Sequence, residues 1–347
     1  MPLRFGLSLP FDCIENLTRQ AKSAEVAGFD SLWFPDHVVS PGRVEHLEAW
    51  SVLSTLASVT TRVVLGPAVT DPFRRHPAFL THSLLTLDNI SRGRAFLGLG
   101  AGEPMNLTPF GIRVDEPLVH LREAVVVVRS LCSASASEPA CFSGKKYTMS
   151  RAFLGIKPVQ RPFPPIYLGA LGPRTRQLAG EIADGWLPYV HSPKNYTKLV
   201  SDVKIGVEKA GRRLEELDLV ANVPVCFTNG KKSEALRIWR RLGVRLILEG
   251  TTLRDLGWQV HYASSLTLRK MVVDPQVSKQ LEELSDAIPH EITKEVAAIG
   301  TVSTVIDILD KYVKLGATHL LIRLLGDETE GDLAKFGTQV IQYFREG

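Results

Sequence analysis

Short apolar runs alternate along the chain with stretches in which hydrophobic residues recur every three to four positions. The first apolar run spans residues 5–9, and after it Leu17, Ala21 and Ala24 fall on one face of a helix. A short apolar run bounded by turn residues is typical of a buried strand, whereas recurrence every three to four residues is typical of an amphipathic helix. Gly28 stands where the C-terminal cap of that helix belongs. The pattern predicts a strand followed by a helix, and the same unit recurs through the chain.

Eight apolar runs are predicted as strands, near residues 5–9, 31–34, 63–65, 95–100, 166–168, 185–190, 218–228 and 319–324. Near-continuous apolar strands that are joined by helices form parallel sheets. Eight such units predict an α/β fold, a (β/α)8 TIM barrel, which takes about 250 residues and leaves room for insertions. The alternative is an open doubly wound sheet, which requires a GxGxxG turn after its first strand. The sequence there, SLPFDCIEN, contains no such turn.

We predict a single barrel domain over residues 1–347, with two insertions that hold the extra length. The first covers about 133–161, where the segment FSGKKYTM resembles a small β-hairpin. The second covers about 251–295 and is expected to be helical and polar.

Composition and charge exclude several classes of function. Apolar residues make up 44% and charged residues 22% of the 347 residues, as in ordinary globular proteins. The formal net charge is only +4, and basic doublets such as Arg74-Arg75 are too short to indicate a nucleic-acid partner. No apolar stretch approaches the roughly 20 residues that span a membrane. The first residues lack the apolar core of a signal peptide. We therefore expect a cytoplasmic protein with neither nucleic acid nor membrane as partner.

The four cysteines are Cys13, Cys132, Cys141 and Cys226, and none belongs to a CxxC pair. This spacing indicates neither a zinc ribbon nor a redox dithiol. We predict no metal site, and free, mostly buried thiols in a reducing compartment.

The segment DSLWFPDHVV ends the second predicted strand at Asp36-His37. In a (β/α)8 barrel the active site lies at the C-terminal ends of the strands. A histidine there would face the mouth of the barrel and could exchange a proton near neutral pH. The alternative is that His37 caps or braces a loop.

The segment LGPAVTDPFRRHP ends the third predicted strand, and its prolines and glycine take the backbone out of regular geometry. One interpretation is a backbone feature that holds a ligand, with Asp71 as a polar contact and Arg74, Arg75 and His76 near the rim. The other is a tight turn into the next helix with a solvated arginine pair.

The segment GLGAGEPMN ends the fourth predicted strand with three alternating glycines, which would let a ligand approach the backbone. Glu103 follows at once. Glu103 and His37 would then face one pocket as two titratable groups of different type, which is the arrangement of an acid/base pair.

The segment GALGPRTRQLAGEIADG follows the fifth predicted strand, with Gly172-Pro173 at the start of a helix. The free N–H groups of a helix start form a ready phosphate site. Arg174 and Arg176 could add positive charge. The alternative is a plain left-handed turn.

Together these four segments resemble the bacterial-luciferase-like flavin and deazaflavin enzymes, and more closely the branch that depends on coenzyme F420. LGPAVTDPFRRHP and GALGPRTRQLAGEIADG are similar to segments of methylenetetrahydromethanopterin reductases. DHVV and GLGAGEPMN are more similar to segments of F420-dependent glucose-6-phosphate dehydrogenases. The resemblance runs the whole length of the chain and is weakest in the insertions.

The resemblance implies a (β/α)8 barrel that forms a homodimer and an F420-dependent oxidoreductase that passes a hydride between the deazaflavin and a small organic substrate. It implies that His37 and Glu103 are the catalytic pair, with the acid and the base unassigned. It implies a non-prolyl cis peptide between Ala68 and Val69. The positions that match cofactor contacts are Asp36, Ala68, Val69, Asp71, Ala101, Gly102, Asn106, Gly172, Pro173 and Arg174. Candidates to meet the acidic tail of F420 are Arg74, Arg75, Arg174 and Arg176.

Departures from the family patterns leave the substrate open. The dehydrogenases have a tryptophan shortly after the histidine, near the position where this chain has Pro41. The reductases have an acidic residue on the first strand, where this chain has Ser8. The substrate is therefore expected to be an alcohol, an aldehyde or a methylene-pterin compound. The alternatives are an FMN-dependent monooxygenase on the same fold and a non-catalytic flavin-binding protein.

Overall fold

A computed structural model describes residues 2–41, 46–228, 242–244, 246–250, 252–258, 266–267, 270–326 and 329–346. The strands are β1 (Arg4–Ser8), β2 (Ser31–Phe34), β3 (Val64–Pro67), β4 (Leu97–Gly100), β5 (Ala140–Ser143), β6 (Thr148–Ala152), β7 (Ile166–Gly169), β8 (Gly185–Leu187), β9 (Asp218–Phe227), β10 (Ala298–Gly300) and β11 (His319–Leu324). The α-helices are α1 (Ile14–Val26), α2 (Ala49–Val59), α3 (Pro77–Ser91), α4 (Pro117–Ser133), α5 (Pro173–Ile182), α6 (Pro193–Lys209), α7 (Thr252–Asp255), α8 (Pro275–Asp286), α9 (His290–Lys294), α10 (Val302–Lys314), α11 (Thr329–Lys335) and α12 (Gln342–Glu346). Short 3-10 turns lie at Pro104–Asn106, Thr108–Phe110 and Leu214–Glu216.

The eight predicted strands form one parallel barrel in the order β3-β2-β1-β11-β9-β8-β7-β4. Two bridges close the ring between β3 and β4, one from Leu65 to Ala95 and one from Thr70 to Leu99. The predicted TIM barrel is therefore confirmed. The sequence did not indicate β10, which adds to the end of β9 beside the ring.

Alternate strand residues face two separate cores. Leu32 and Phe34 of β2 pack in the large cluster that includes the surrounding helices. Trp33, between them, belongs to a smaller buried cluster with Phe96, Tyr167, Leu187, Val220 and Leu321. Side chains from strands all around the ring can meet only inside the barrel, so this smaller cluster fills its interior. Every residue of β2 is buried, as the apolar run predicts.

A polar network closes the amino-terminal end of the barrel around Asp218. Its carboxylate accepts from the Tyr167 hydroxyl at 2.8 Å and from Nδ1 of His319 at 3.0 Å, and it pairs with Arg4 at 2.5 Å. Nε2 of His319 lies 2.9 Å from the Ser31 hydroxyl, which also accepts from the indole of Trp33. Burial alone would raise the pKa of Asp218, but His319 and Arg4 hold that pKa well below its usual range.

The first insertion is fastened to the barrel through one buried carboxylate. β5 and β6 form the predicted antiparallel hairpin. Glu123 of α4 accepts from the backbone N–H groups of Lys145, Lys146 and Tyr147 at 2.7–3.0 Å. The Tyr147 hydroxyl donates to the Pro72 carbonyl at 2.9 Å, so the hairpin also supports the loop that follows β3.

The second insertion contributes α7, α8 and α9, in agreement with the predicted helical character. Residues 251, 259–265 and 268–269 of this insertion lie outside the described part of the chain. Leu281 and Ser285 are the buried residues of α8, and Val277 and Leu284 are partly buried. Most of its other residues are polar, as expected.

Leu333, Phe336, Val340 and Phe344 recur at helical spacing, which predicts a regular helix at the end of the chain. The structure differs from this prediction in one respect. Leu333, Phe336 and Val340 are buried, as their spacing predicts. Between α11 and α12, however, the chain makes a π-helical segment, Phe336–Ile341. A Cβ at Gly337 would lie 2.3 Å from the Ala27 carbonyl oxygen, so a glycine is needed where this segment crosses the end of α1.

All four cysteines are free, as predicted. The expectation that most are buried is wrong, because Cys13 and Cys141 are exposed while Cys132 and Cys226 are buried. Burial raises the pKa of the Cys132 thiol to about 12. No helix in the described ranges is both long enough and apolar enough to cross a bilayer.

Candidate active site

A cavity of about 1670 Å³ opens at the C-terminal ends of the barrel strands. All the residues that the sequence singled out as catalytic or cofactor-binding line it: Asp36, His37, Ala68, Val69, Asp71, Ala101, Gly102, Glu103, Asn106, Gly172, Pro173 and Arg174. Pockets for one small ligand measure roughly 300–1,000 Å³. The cavity can therefore hold two ligands together, as a cofactor and a substrate require.

His37, Glu103 and Asn106 form one hydrogen-bonded cluster in the cavity wall. Nδ2 of Asn106 lies 3.2 Å from Oε2 of Glu103 and 3.3 Å from Nδ1 of His37. Nδ1 of His37 and Oε2 of Glu103 are 3.6 Å apart. Asn106 is buried, whereas His37 and Glu103 are partly accessible from the cavity. The structure thus brings together the predicted pair and links it through the amide group of a third residue.

Local backbone geometry places Glu103 beside His37. Gly102 has a left-handed φ of 78°, and a Cβ there would lie 2.8 Å from Leu107 and 3.0 Å from the Phe73 ring. Glu103 then precedes the 3-10 turn Pro104–Asn106, in which the Asn106 N–H donates to the Glu103 carbonyl. This short turn brings the side chain of Asn106 next to the side chain of Glu103, three positions earlier in the chain.

Asp36 and Asp71 are held by protein groups. Arg74 donates to Oδ2 of Asp71 at 2.6 Å, and it donates to the carbonyl and to Oδ2 of Asp36 at 2.7 and 3.1 Å. Oδ1 of Asp71 accepts from the backbone N–H groups of Phe73 and Arg74, both at 2.9 Å. Burial opposes the charge on Arg74, but Asp71 and Asp36 raise the pKa of its guanidinium.

This network corrects two expectations about the arginine doublet. Arg74 is not a solvated rim residue, because only 15% of its side chain is exposed and both carboxylates engage it. Arg75 pairs with Glu48 at 2.5 Å and with Asp36 at 3.4 Å, so it is not free to meet an acidic ligand either.

The loop after β3 contains the predicted cis peptide between Ala68 and Val69. Glycines of the neighbouring strands leave room for the Val69 side chain, since a Cβ at Gly100 would lie 2.5 Å from Val69 Cγ2 and a Cβ at Gly169 would lie 3.1 Å from both its γ-carbons. A Cβ at Gly98 would lie 2.0 Å from the Pro67 carbonyl oxygen. The expectation that the alternating glycines admit a ligand is therefore wrong for Gly98, which makes room for β3.

The start of α5 faces the cavity, as predicted for the segment that follows the fifth predicted strand. Gly172 occupies the N-cap position without a side-chain cap, and Pro173 is the first helical residue. Arg174 is exposed in the cavity wall and has no ionic partner among the residues described. Arg176, by contrast, is buried and donates to Asp202 at 2.7–2.9 Å, so the expectation that it meets an acidic ligand is wrong.

Sequence reasoning missed several residues that line the cavity. Asn222 of β9 lies in the wall with its side-chain oxygen buried and without a hydrogen bond in the described part of the chain. A polar residue inside the apolar run 218–228 was a signal that could have found it. The helix α8 also contributes Ser278, Leu281 and Ser285. No sequence signal placed this inserted helix over the cavity.

Comparison with known proteins identifies the family. The family model for luciferase-like monooxygenases matches residues 4–319. The chain belongs to this family. It is 28% identical over 344 residues to 5,10-methylenetetrahydromethanopterin reductase of Archaeoglobus fulgidus, with 98% of this chain and 99% of that protein covered. It is 30% identical over 361 residues to F420-dependent glucose-6-phosphate dehydrogenase of Nakamurella multipartita, with 99% and 97% covered.

The fold is shared with a solved structure of this luciferase-like family. Coenzyme F420-dependent tetrahydromethanopterin reductase from Methanopyrus kandleri superimposes with a TM-score of 0.85 at 24% identity, with 99% of this chain and 100% of that chain covered. These relatives are reductases and dehydrogenases. The predicted family resemblance is therefore confirmed, and this luciferase-like chain is an oxidoreductase enzyme.

Proposed function

We propose that this chain is a coenzyme F420-dependent oxidoreductase that transfers a hydride between the deazaflavin and a small organic substrate. The observation that carries the proposal is the His37–Asn106–Glu103 cluster, which lines the same cavity as the start of α5 and the Ala68–Val69 loop. A relative that is named as F420-dependent, and that this chain matches over nearly its full length, supports this choice of cofactor.

The start of α5 fits the phosphate of such a cofactor. The Gly172 N–H already donates to the Thr175 hydroxyl at 3.0 Å, and Pro173 has no N–H. The N–H groups of Arg174 and Thr175, at the positive end of the helix dipole, are therefore those that an anion could meet. Arg174, which has no ionic partner within the described ranges, adds a positive charge at the same end of the helix. Of the arginines considered for the acidic tail of F420, Arg174 alone keeps that role in the proposal.

When bound, F420 accepts or gives up a hydride at one carbon of its deazaflavin ring. The protein must then manage one proton beside the reacting carbon. His37 and Glu103 stand side by side in the cavity wall, and both are partly accessible from it. We propose that they are the two groups that hold and move this proton.

The proposed substrate is an alcohol, an aldehyde or a methylene-pterin compound. The cavity wall beyond the cluster includes Leu118, Tyr189 and Leu281 together with the hydroxyl groups of Ser278 and Ser285. The wall also includes the charged residues Glu282, Asp286 and Arg323, so it suits an organic molecule with both apolar and polar parts.

A panel of alcohols, aldehydes and pterins, followed at the deazaflavin absorbance, tests this function. The wild-type enzyme is expected to turn over at least one of these classes with F420. His37→Ala and Glu103→Gln are each expected to lower turnover by about 10²–10⁴-fold, the usual contribution of acid/base groups. Controls are Lys204→Ala and Glu208→Gln, which change exposed residues of α6 outside the cavity. Unchanged turnover in the His37 and Glu103 variants would refute their catalytic role.

We further propose a cytoplasmic homodimer, as predicted from the sequence. Phe79 and Ile90 are 68% and 43% exposed and lie three turns apart on one face of α3, which supports an apolar contact surface there. Light scattering is expected to give twice the chain mass, and Phe79→Asp is expected to lower it. Val26→Asp, at another exposed apolar residue, is the control. A measured wild-type mass equal to the mass of one chain would contradict the dimer.

A further inference from the structure

The side-chain amide of Asn106 has only one possible orientation. Its Oδ1 accepts from the backbone N–H groups of Val38 and Val39, at 2.8 and 3.0 Å. Both neighbours on that side are donors, so the atom that faces them must be the oxygen. The NH2 group is therefore on the other side, which faces His37 and Glu103.

Both hydrogens of this NH2 group have an acceptor within reach. One points to Oε2 of Glu103, at 3.2 Å. The other points to Nδ1 of His37, at 3.3 Å. Since an amide NH2 group can only donate, Nδ1 of His37 must present its lone pair. A proton on Nδ1 would place two donors against each other at that contact. The acceptor nearest to such a proton, Oε2 of Glu103, lies 3.6 Å from Nδ1, which is beyond hydrogen-bond distance.

We infer that Asn106 is a positioning residue that fixes neutral His37 as the tautomer with its proton on Nε2. Nε2 has no hydrogen-bond partner in the described part of the chain, and His37 lines the cavity. The ring therefore presents an N–H donor to a bound ligand. Within the described ranges, Oε1 of Glu103 is likewise unpartnered, so the carboxylate presents an acceptor.

The fixed tautomer gives His37 and Glu103 different roles in proton transfer. This step rests on the proposed function. An imidazole that already carries its Nε2 proton cannot accept another at that nitrogen. When an alcohol is oxidised, its O–H bond breaks and the proton bonds to Oε1 of Glu103. F420, held at the start of α5, would supply the acceptor for the hydride of the C–H bond. His37 donates a hydrogen bond from Nε2 to the substrate oxygen throughout. Asn106 thereby makes Glu103 the base and His37 the donor.

Nitrogen-15 spectra of histidine-labelled protein without cofactor test the tautomer directly. Spectra are taken at a pH of about 8.5, where an ordinary imidazole is neutral. The signals of His37 are assigned by their loss in His37→Gln. The expected result is a protonated Nε2 and an unprotonated Nδ1. A wild-type His37 protonated on Nδ1 would overturn the inference, and this result needs no Asn106 variant to fold.

Asn106→Asp supplies the matched perturbation. The new carboxylate keeps an oxygen toward Val38 and Val39 but presents an acceptor to Nδ1, so the proton of His37 is expected to move from Nε2 to Nδ1. Asn89→Asp is the control, because Asn89 donates to the Leu85 and Lys157 carbonyls away from the cavity. The His37 signals are expected to stay unchanged in this control. A His37 tautomer that is the same in wild type and Asn106→Asp would contradict the role of Asn106.

Turnover measurements on His37 variants test the donor role of His37. Glutamine at position 37 can still donate a hydrogen bond. The turnover of His37→Gln is therefore expected to be about tenfold or more above the turnover of His37→Ala. Equal losses in the two variants would overturn the donor role of His37. If the spectra show the Nε2 proton but F420 supports no turnover, the proposed function fails and the role of Asn106 stands.

Discussion

The guanidinium of Arg74 donates both to the carbonyl and to the carboxylate of Asp36, and so joins the loop after β2 to the loop after β3. The same guanidinium holds Asp71 at 2.6 Å. The two loops that carry His37 and Val69 are therefore joined at the cavity wall by one largely buried cation.

Replacement of Arg74 by methionine is expected to destabilise the protein by about 3–5 kcal/mol, because two buried carboxylates lose the cation that engages both of them. Arg75→Met is the control, since that side chain is more exposed and 3.4 Å from Asp36. Its effect is expected to be about 1 kcal/mol or less. Urea unfolding measures both free energies, and equal effects would show that Arg74 is not the link between the loops.

The pH dependence of stability is expected to follow Asp218. Its pKa is lowered in the folded protein, so the carboxylate stabilises the fold above its unfolded pKa of about 3.9, and this stabilisation is lost as the pH falls below that value. Asp218→Asn is expected to cost about 3–5 kcal/mol near pH 7, because Arg4 and His319 lose their buried partner. The free-energy gap between wild type and variant should narrow below about pH 4. A gap that does not change with pH would contradict the assignment.

A methyl group at Gly100 is expected to collide with the side chain of Val69. Gly100→Ala should cost about 1–3 kcal/mol, the usual penalty of overpacking. Val69→Ala removes the colliding atoms, so the double variant should be more stable than the sum of the two single effects. Unfolding free energies of the four proteins in the cycle measure this coupling, and strict additivity would contradict the contact.

Arg174→Ala is expected to raise the dissociation constant for F420 about tenfold, the loss of one charge-assisted hydrogen bond of about 1.5 kcal/mol. The difference from wild type should shrink as salt is added, because the residue is exposed. Lys204→Ala removes an exposed cation of α6 outside the cavity and should leave binding unchanged. Equal dissociation constants for Arg174→Ala and wild type would remove Arg174 from the phosphate site.

The sequence alone located the site through one rule, that ligands bind at the C-terminal ends of barrel strands. This rule placed His37, Glu103 and Gly172 on one cavity although they are far apart in the chain. It could not place Arg74, because the partners that bury it include Asp36, which is distant in sequence. The role of Asn106 was equally out of reach, since it depends on which side of its amide meets Val38 and Val39.

Other differences between the predictions from sequence and the structure arise from packing between helices and strands. Gly98 looked like a ligand-approach glycine, and only the neighbouring strand shows that the Pro67 carbonyl occupies the space. The π-helical segment in the closing helix depends on the close crossing of Gly337 over Ala27. Periodicity predicts which residues of that helix are buried, but it carries no information about the crossing.

The central claim is that this cavity binds F420 as its hydride carrier. Titration of the purified wild-type protein with F420 and, separately, with FMN and reduced FMN, followed by tryptophan fluorescence, tests it most directly. The account predicts saturable binding of F420 at micromolar concentration or below, weakened in Arg174→Ala, and no comparable binding of either form of FMN. Micromolar binding of reduced FMN together with no binding of F420 would contradict the claim and favour a flavin-dependent monooxygenase.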